Sequence, residues 1–530
     1  MKVLVSDKLH PDGMAILKAC SEIQVDEKTG LPPEELKKII GEYDALIIRS
    51  GTTVTEDILA SAKNLKLIGR AGIGVDNVDL PAASKYGVIV ENTPSGNAVT
   101  TAEHAVAMMF AVSRMIPQAT MSMKAGQWEK KKFMGRELCN KVLGVIGVGN
   151  IGKIVANRAI GLKMKVLGFD PFLTPEAAAK MGIELVGLDD IYKRSDYITV
   201  HVPLNDKTRG LLNAASFDKM KPGVFIINCA RGGVVDERDL LTALNSGKVG
   251  GAALDVFEQE PPPAGSELIA HPHVVCSPHL GASTDEAQVN VAIEVAEQVV
   301  DYFTKGEIRN AVNFPSISGE LAKVLKPYLT LSEKLGRLLG HLVREKSPRK
   351  IAIEYVGDLT DYPMAPMTTC FLKGMLEIFL TEEGGVNYVN ATYLARERGI
   401  KVTESKVHEE EGFTSLIRVK VETSQGQTIV SGTIFGTKNP RIVQVDDFYL
   451  EALPEGHILL IRNIDKPGVI GSVGTCLGKN QVNISRMQLG LSKNSDEAMA
   501  LYNVDSTAGD QVVSELKALP NIISVQEIKL

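Results

Sequence analysis

Residues 141–160 read KVLGVIGVGNIGKIVANRAI. A short apolar run ends on Gly147, Gly149 and Gly152 in G-x-G-x-x-G spacing, and a helical pattern begins at once. Each glycine has a physical reason. The first permits a tight turn, the second lets the backbone approach a pyrophosphate, and the third allows close packing of helix on strand; the helix N-terminus then stabilises negative charge. Glycines also mark ordinary turns, so the triplet alone is weak. Its context strengthens it: strand, turn and helix follow in order, and Asp170 stands at the end of the next apolar run, VLGFDP, 18 residues after Gly152. A carboxylate there accepts hydrogen bonds from the ribose hydroxyls of an adenine dinucleotide and repels a 2′-phosphate, which predicts NAD rather than NADP.

Outward from this unit, YITVHVP, VFIINCARG, GAALDVFE and VVCSPH continue a series of buried strands separated by helices. Upstream, KVLVSD, ALIIRS, LKLIGRAG and GVIVEN show the same βα rhythm. The pattern predicts two doubly wound parallel-sheet, Rossmann-like α/β domains, with ligands at the carboxyl ends of their strands. The long helical stretch EAQVNVAIEVAEQVVDYFTKG returns the chain to the first sheet. The expected divisions are therefore a discontinuous substrate domain, 1–96 with 287–313, and an NAD domain, 97–286. AVNFPSISGE (311–320) has the composition of a linker. Beyond it, 317–453 reads as a mixed α/β module opening on a long helix that Pro327 could kink. Residues 454–530 run β-α-β-β-α-β, the ferredoxin-like order.

The bulk numbers narrow the function classes. A chain of 530 residues with 44% hydrophobic and 23% charged residues is ordinary for a globular, multidomain protein. Its net charge of −6 gives no basic field to hold nucleic acid or an anionic membrane. No run of 18 apolar residues suggests a membrane span. Six scattered cysteines without a CxxC pair suit reduced thiols in a cytoplasmic protein, and no metal site is expected.

Oxidising an alcohol by hydride transfer needs a base for the hydroxyl proton, a group that holds that base, and a cation for the substrate carboxylate. Arg231 in NCARGGVVDE, Glu260 in DVFEQEPP and His279 in SPHLGAST stand at three successive predicted strand ends. Singly they could be a surface cation, a loop acid and a packed ring. Jointly they suit a carboxylate grip, an orienting acid and a general base.

The motifs GVGNIG, NCARGGVVDE, ALDVFEQEPP and SPHLGAST resemble those of the D-isomer-specific 2-hydroxyacid dehydrogenases, and the two C-terminal modules resemble the long, phosphoglycerate-oxidising branch of that family. The resemblance implies a catalytic set of Arg231, Glu260 and His279. It also implies cofactor contacts at Asn150, Ile151, Cys229, Ala230, Asp255 and Gly281 besides the glycines and Asp170, with Arg231 and His279 touching the cofactor too. On the substrate side it points to Arg49, Arg70, Asn97, Lys131 and Lys132, the lysines on an arm that reaches a neighbouring subunit. The implied substrate is 3-phosphoglycerate, oxidised to 3-phosphohydroxypyruvate at the entry to serine synthesis, in a homotetramer. The last segment is similar to ACT domains, amino-acid-sensing modules, with Asn463, Asp465 and Asn483 at effector positions for L-serine; Asn463 replaces a tyrosine found in some relatives. Two other readings remain open: a glyoxylate or hydroxypyruvate reductase of the same fold, and a non-enzymatic NAD-sensing protein.

Overall fold

The computed structural model describes all residues except 316–318, 345, 381–384, 409–411 and 493. The first sheet contains β1 (Lys2–Val5), β2 (Gln24–Glu27), β3 (Ala45–Ile48), β4 (Leu67–Arg70) and β5 (Ile89–Asn92). They are parallel, in the order β2-β1-β3-β4-β5. The edge strand β2 escapes a reading of apolar runs because QVDE is polar and half-exposed.

The second sheet holds β6 (Val142–Ile146), β7 (Lys165–Phe169), β8 (Glu184–Leu185), β9 (Tyr197–Val200), β10 (Val224–Asn228), β11 (Val249–Leu254) and β12 (Val274–Cys276). Their order is β12-β11-β10-β9-β6-β7-β8, all parallel. The order reverses between β6 and β9, which opens a crevice beside the glycine turn. The helix Ala98–Arg114 leads into this unit and packs on β10, β11 and β12. The helix Asp285–Lys305 leads back: Val291, Ala292, Val295 and Val299 share a core with Val3, Val5, Ile47 and Leu67 of the first sheet. Thr284 caps its start by accepting the Ala287 N–H at 3.2 Å.

A mixed sheet follows, with β13 (Pro348–Gly357), β14 (Lys401–Val407), β15 (Ser415–Thr423), β16 (Gly426–Phe435), β17 (Asn439–Val445) and β18 (Phe448–Ala452) in the order β14-β13-β15-β16-β17-β18. Its long helix, Gly319–Leu342, continues through Pro327 and packs on Ala365–Phe379. The approach depends on glycine. A Cβ at Gly336 would overlap the Phe371 carbonyl, and one at Gly374 the Glu333 carbonyl. This module touches the first sheet's unit through Val389, which joins its core, and Asn387, whose Nδ2 donates to the Gly87 carbonyl at 2.9 Å.

The last sheet, β19 (His457–Ile464), β20 (Ile484–Leu491), β21 (Glu497–Val504) and β22 (Ile522–Lys529), is antiparallel in the ferredoxin-like order β20-β21-β19-β22. Period-two alternation gives it two apolar faces. Leu459, Ile461 and Tyr502 pack under its own helices, while Ile458, Leu460 and Leu501 join the core of the preceding module. Those two modules therefore share one core. Among the described residues no helix is long and apolar enough to cross a membrane.

Candidate active site

A cleft of about 720 Å³ lies between the first two sheets, where the strands end and the second sheet's order reverses. The glycine turn forms one wall. Gly147 has φ +89°, and a Cβ there would overlap the His201 carbonyl; a Cβ at Gly152 would overlap the Gly147 carbonyl. Gly149, which begins the helix Asn150–Gly161, has nothing within 4 Å of its Cβ position. Two glycines are thus needed for packing, and the middle one leaves open space over helix N–H groups, which fits a pyrophosphate. Asn150 and Ile151, on the first turn, line the cleft. The Asp170 carboxylate accepts the Val148 and Phe172 N–H groups, both at 2.9 Å, which fixes it beside the turn with lone pairs left for ribose hydroxyls.

The ends of β10 and β11 build the opposite wall. Asn228, almost fully buried, folds the loop after β10: its Oδ1 accepts the Ala230 N–H at 3.0 Å and its Nδ2 donates to the Arg231 carbonyl at 2.9 Å. Cys229 and Ala230 line the cleft. Burial pushes the Cys229 thiol well up, so this cysteine contributes packing rather than a thiolate. Asp255 ends the next strand and is completely buried. Its carboxylate accepts from Ser277 Oγ at 2.6 Å, Leu280 N at 2.7 Å and Gly281 N at 2.8 Å, and His104 Nε2 lies 3.2 Å away. Burial alone would raise its pKa, but those donors outweigh it and hold the carboxyl below the usual aspartate range.

Asp255 thereby pins the loop that carries His279. The His279 N–H donates to the Asp255 carbonyl at 2.9 Å, and the residue is held at φ +55°, a left-handed conformation that costs a non-glycine residue of order 1–3 kcal/mol. Its Nδ1 is 2.7 Å from Glu260 Oε2, while Glu260 Oε1 accepts the Phe257 N–H at 3.1 Å. The carboxylate fixes the ring from one side, and Nε2 is the nitrogen left for chemistry. His279 lines both the main cleft and a smaller apolar one of about 400 Å³ that Glu260 also lines.

The cations converge unequally. Arg70 and Arg231 both line the cleft. Burial, then repulsion from Arg231, pulls Arg70 down to about 10, so it stays charged at neutral pH; its Nε has no hydrogen-bond partner among the described residues. Asn97 also lines the cleft, at the head of Ala98–Arg114, and its Oδ1 is buried without a partner among the described residues. Arg49 stands outside the lining, with Nη1 on the Lys8 carbonyl at 3.2 Å, and acts on Arg70 only as a nearby like charge. Lys131 and Lys132 lie on the exposed segment after the helix Ile116–Lys124 and stand outside the cleft lining; Lys132 pairs with Glu129 at 3.1 Å. In the last module, Asn463 Nδ2 donates to the Ile464 carbonyl at 2.9 Å and Asn483 Nδ2 to Asp505 Oδ2 at 2.6 Å. Asp465 is placed by its own N–H, which donates to the Asp496 carbonyl at 2.8 Å.

Four site residues escape sequence reasoning. His104 and Ser277 cradle Asp255, Asp76 pairs with Arg231 Nε at 2.7 Å, and His201 lines the cleft. His201 is neutral, since burial pushes its pKa down to about 4, and its Nε2 is 2.9 Å from Thr199 Oγ1. None lies in a spacing that distinguishes it from a structural residue.

Comparison with known proteins agrees with this geometry. Residues 106–281 match the NAD-binding domain of D-isomer specific 2-hydroxyacid dehydrogenases, 324–446 the D-3-phosphoglycerate dehydrogenase intervening domain, and 457–521 the ACT domain. The chain is 43% identical over its whole length to a D-3-phosphoglycerate dehydrogenase of Synechocystis sp., covering 95% of that protein. It is 42% identical to that of Archaeoglobus fulgidus, with all of both chains covered, and 41% identical to that of Bacillus subtilis, covering all of this chain and 99% of the relative. Among solved structures, a glyoxylate reductase from Paecilomyes thermophila (30% identical, TM-score 0.55) covers 59% of this chain and 98% of its own. An NAD-dependent formate dehydrogenase from Staphylococcus aureus (26% identical, TM-score 0.54) covers 60% of this chain and 100% of its own. With full-length relatives at this identity and all three domain matches in order, the chain belongs to the D-3-phosphoglycerate dehydrogenases, in the long form that carries an intervening and an ACT domain.

Proposed function

We propose that the chain oxidises 3-phospho-D-glycerate to 3-phosphohydroxypyruvate with NAD, the entry step of serine synthesis. One observation carries the reading: His279, 2.7 Å from Glu260, borders the same cleft as the Arg231 and Arg70 guanidinium groups and the open glycine turn. A base, two anion grips and a dinucleotide cradle are the parts this reaction needs.

The turn Gly147–Gly152, Asp170, and the cleft-lining Asn150, Ile151, Cys229, Ala230, Asp255 and Gly281 would hold NAD, which when bound supplies the hydride acceptor. Arg231 grips the substrate carboxylate through its planar fork. Arg70 and Asn97 serve the phosphate, whose double charge calls for further donors; Arg49 adds to the positive field, and Lys131 and Lys132 would come from a neighbouring subunit. His279 Nε2 takes the hydroxyl proton as the carbonyl forms, and Glu260 stabilises the imidazolium. In reduction the same nitrogen returns the proton. On this reading residues 1–96 with 287–313 bind substrate and 97–286 bind NAD, 317–453 intervene, and 454–530 take L-serine at Asn463, Asp465 and Asn483 as a feedback effector. The protein works as a tetramer in the cytoplasm.

The test is NADH formation with 3-phosphoglycerate beside D-glycerate and D-lactate, each with and without millimolar L-serine. Phosphate-dependent turnover suppressed by serine is expected. Equal use of D-glycerate would remove the phosphate argument, and turnover indifferent to serine would remove the effector.

A further inference from the structure

The geometry points to Asp76 as the positioning residue that aims Arg231, reaching it from the opposite wall of the cleft. The inference rests on the reading of Arg231 as the carboxylate grip. Asp76 lies between β4 and the helix Leu80–Lys85, in the first sheet's unit, whereas Arg231 follows β10 in the second. The segment carrying Asp76 is firmly placed. Asn77 Nδ2 donates to the Arg49 carbonyl at 2.7 Å and the Thr52 carbonyl at 2.6 Å, and Val54 N donates to the Asn77 carbonyl at 2.8 Å.

A guanidinium has five N–H donors, and Arg231 divides its own unevenly. Nε donates to Asp76 Oδ2 at 2.7 Å and Nη1 to the Ala230 carbonyl at 2.6 Å. Among the described residues Nη2 donates to no protein acceptor. The group is held by its stem and inner side, and the Nη1–Nη2 edge keeps N–H groups in the spacing that a carboxylate takes bidentately. Gly74 makes this placement possible, because a Cβ there would overlap Arg231 Nη2. Without Asp76, Nε loses the one partner it has among the described residues, and the fork can turn about its flexible stem. Asp76 also supplies negative charge next to two cations, Arg70 and Arg231, that repel one another. The contact crosses the cleft and so ties its two walls together at the grip on substrate.

The test compares Asp76→Ala and Asp76→Asn with the parent enzyme. The side chain is 63% exposed, so neither change removes core packing. Asp76→Ala should raise the KM for 3-phosphoglycerate about tenfold or more, with NADH affinity, read by fluorescence titration, within twofold of the parent. Asp76→Asn keeps an acceptor for Nε and should recover part of the loss. A second readout is independent of substrate identity: the affinity of the NADH complex for oxalate, a small dicarboxylate, should fall in the same order. An unchanged KM and oxalate affinity would overturn the inference. A lower KM would overturn it too, by showing that Asp76 competes for the grip. Absence of phosphoglycerate turnover in the parent enzyme would instead count against the proposed function, leaving the oxalate series to decide Asp76.

Discussion

Replacing Glu260 with glutamine isolates what the acid contributes to His279. The charge part follows from the separation. Opposite charges about 4 Å apart attract by about 4 kcal/mol at an effective dielectric of about 20 and by about 1 kcal/mol in water. The two side chains are 50% and 38% exposed, which places the interaction between those limits, at about 2 kcal/mol. Lost in the transition state, where the imidazolium forms, this is roughly 30-fold in kcat. Hydrogen bonding adds to it. Glu260 accepts from Phe257 N with one oxygen and faces His279 Nδ1 with the other, and an amide has only one oxygen. If that oxygen serves Phe257, the NH₂ donates to Nδ1, which puts the ring proton on Nε2 and leaves no acceptor for the substrate hydroxyl. Glu260→Gln should therefore lose at least about 30-fold in kcat, toward the ~10²–10⁴ that general base catalysis contributes. Steady-state NADH formation at saturating substrate and cofactor reads this directly. Retention of more than about a third of the parent kcat would refute the assignment.

Further predictions address the cradle and the buried charge. Gly149→Ala places its methyl in open space and should leave the melting temperature unchanged while weakening NADH binding about tenfold or more, as read by fluorescence titration. Gly152→Ala meets the Gly147 carbonyl and should destabilise the fold by about 1–3 kcal/mol; equal melting temperatures for the two variants would contradict the glycine roles. Glu91 is fully buried, with Oε1 accepting the Arg309 N–H at 2.6 Å and Oε2 without a partner among the described residues. Burial raises its pKa from 4.5 to about 7 against the opposing pull of Arg309. A raised carboxyl favours folding below the unfolded value and loses that contribution as pH climbs through about 7, a difference of about 3 kcal/mol. Glu91→Gln should melt close to the parent at pH 5 and several degrees higher at pH 8; a pH-independent difference would refute it.

The strands and the glycine turn were legible because each carries a local signature: a buried parallel strand is an apolar run, and G-x-G-x-x-G leaves its spacing in the chain. Arg231, Glu260 and His279 were legible as a set because a parallel sheet collects the ends of its strands on one side. What escaped has no local signature. β2 is a polar edge strand, readable only from its pairing with β1. His104 meets Asp255 across 151 positions, and Asp76 meets Arg231 across 155, so neither contact leaves a spacing to find. Glu91 is an unremarkable acid in VIVEN until the chain returns at Arg309 to bury it. Lys131 and Lys132 read as a phosphate arm, yet they lie on an exposed segment outside the cleft lining, a placement that three basic residues in a row do not reveal.

On the proposed mechanism His279 moves the proton, while the glycine turn and Asp170 carry most of the hold on the cofactor. The decisive measurement is kcat for 3-phosphoglycerate oxidation in His279→Ala, beside NADH affinity in the same variant. A loss of at least about 10²-fold in kcat is expected, with NADH affinity within a few fold of the parent. Unimpaired turnover, or turnover lost only in step with NADH affinity, would contradict it.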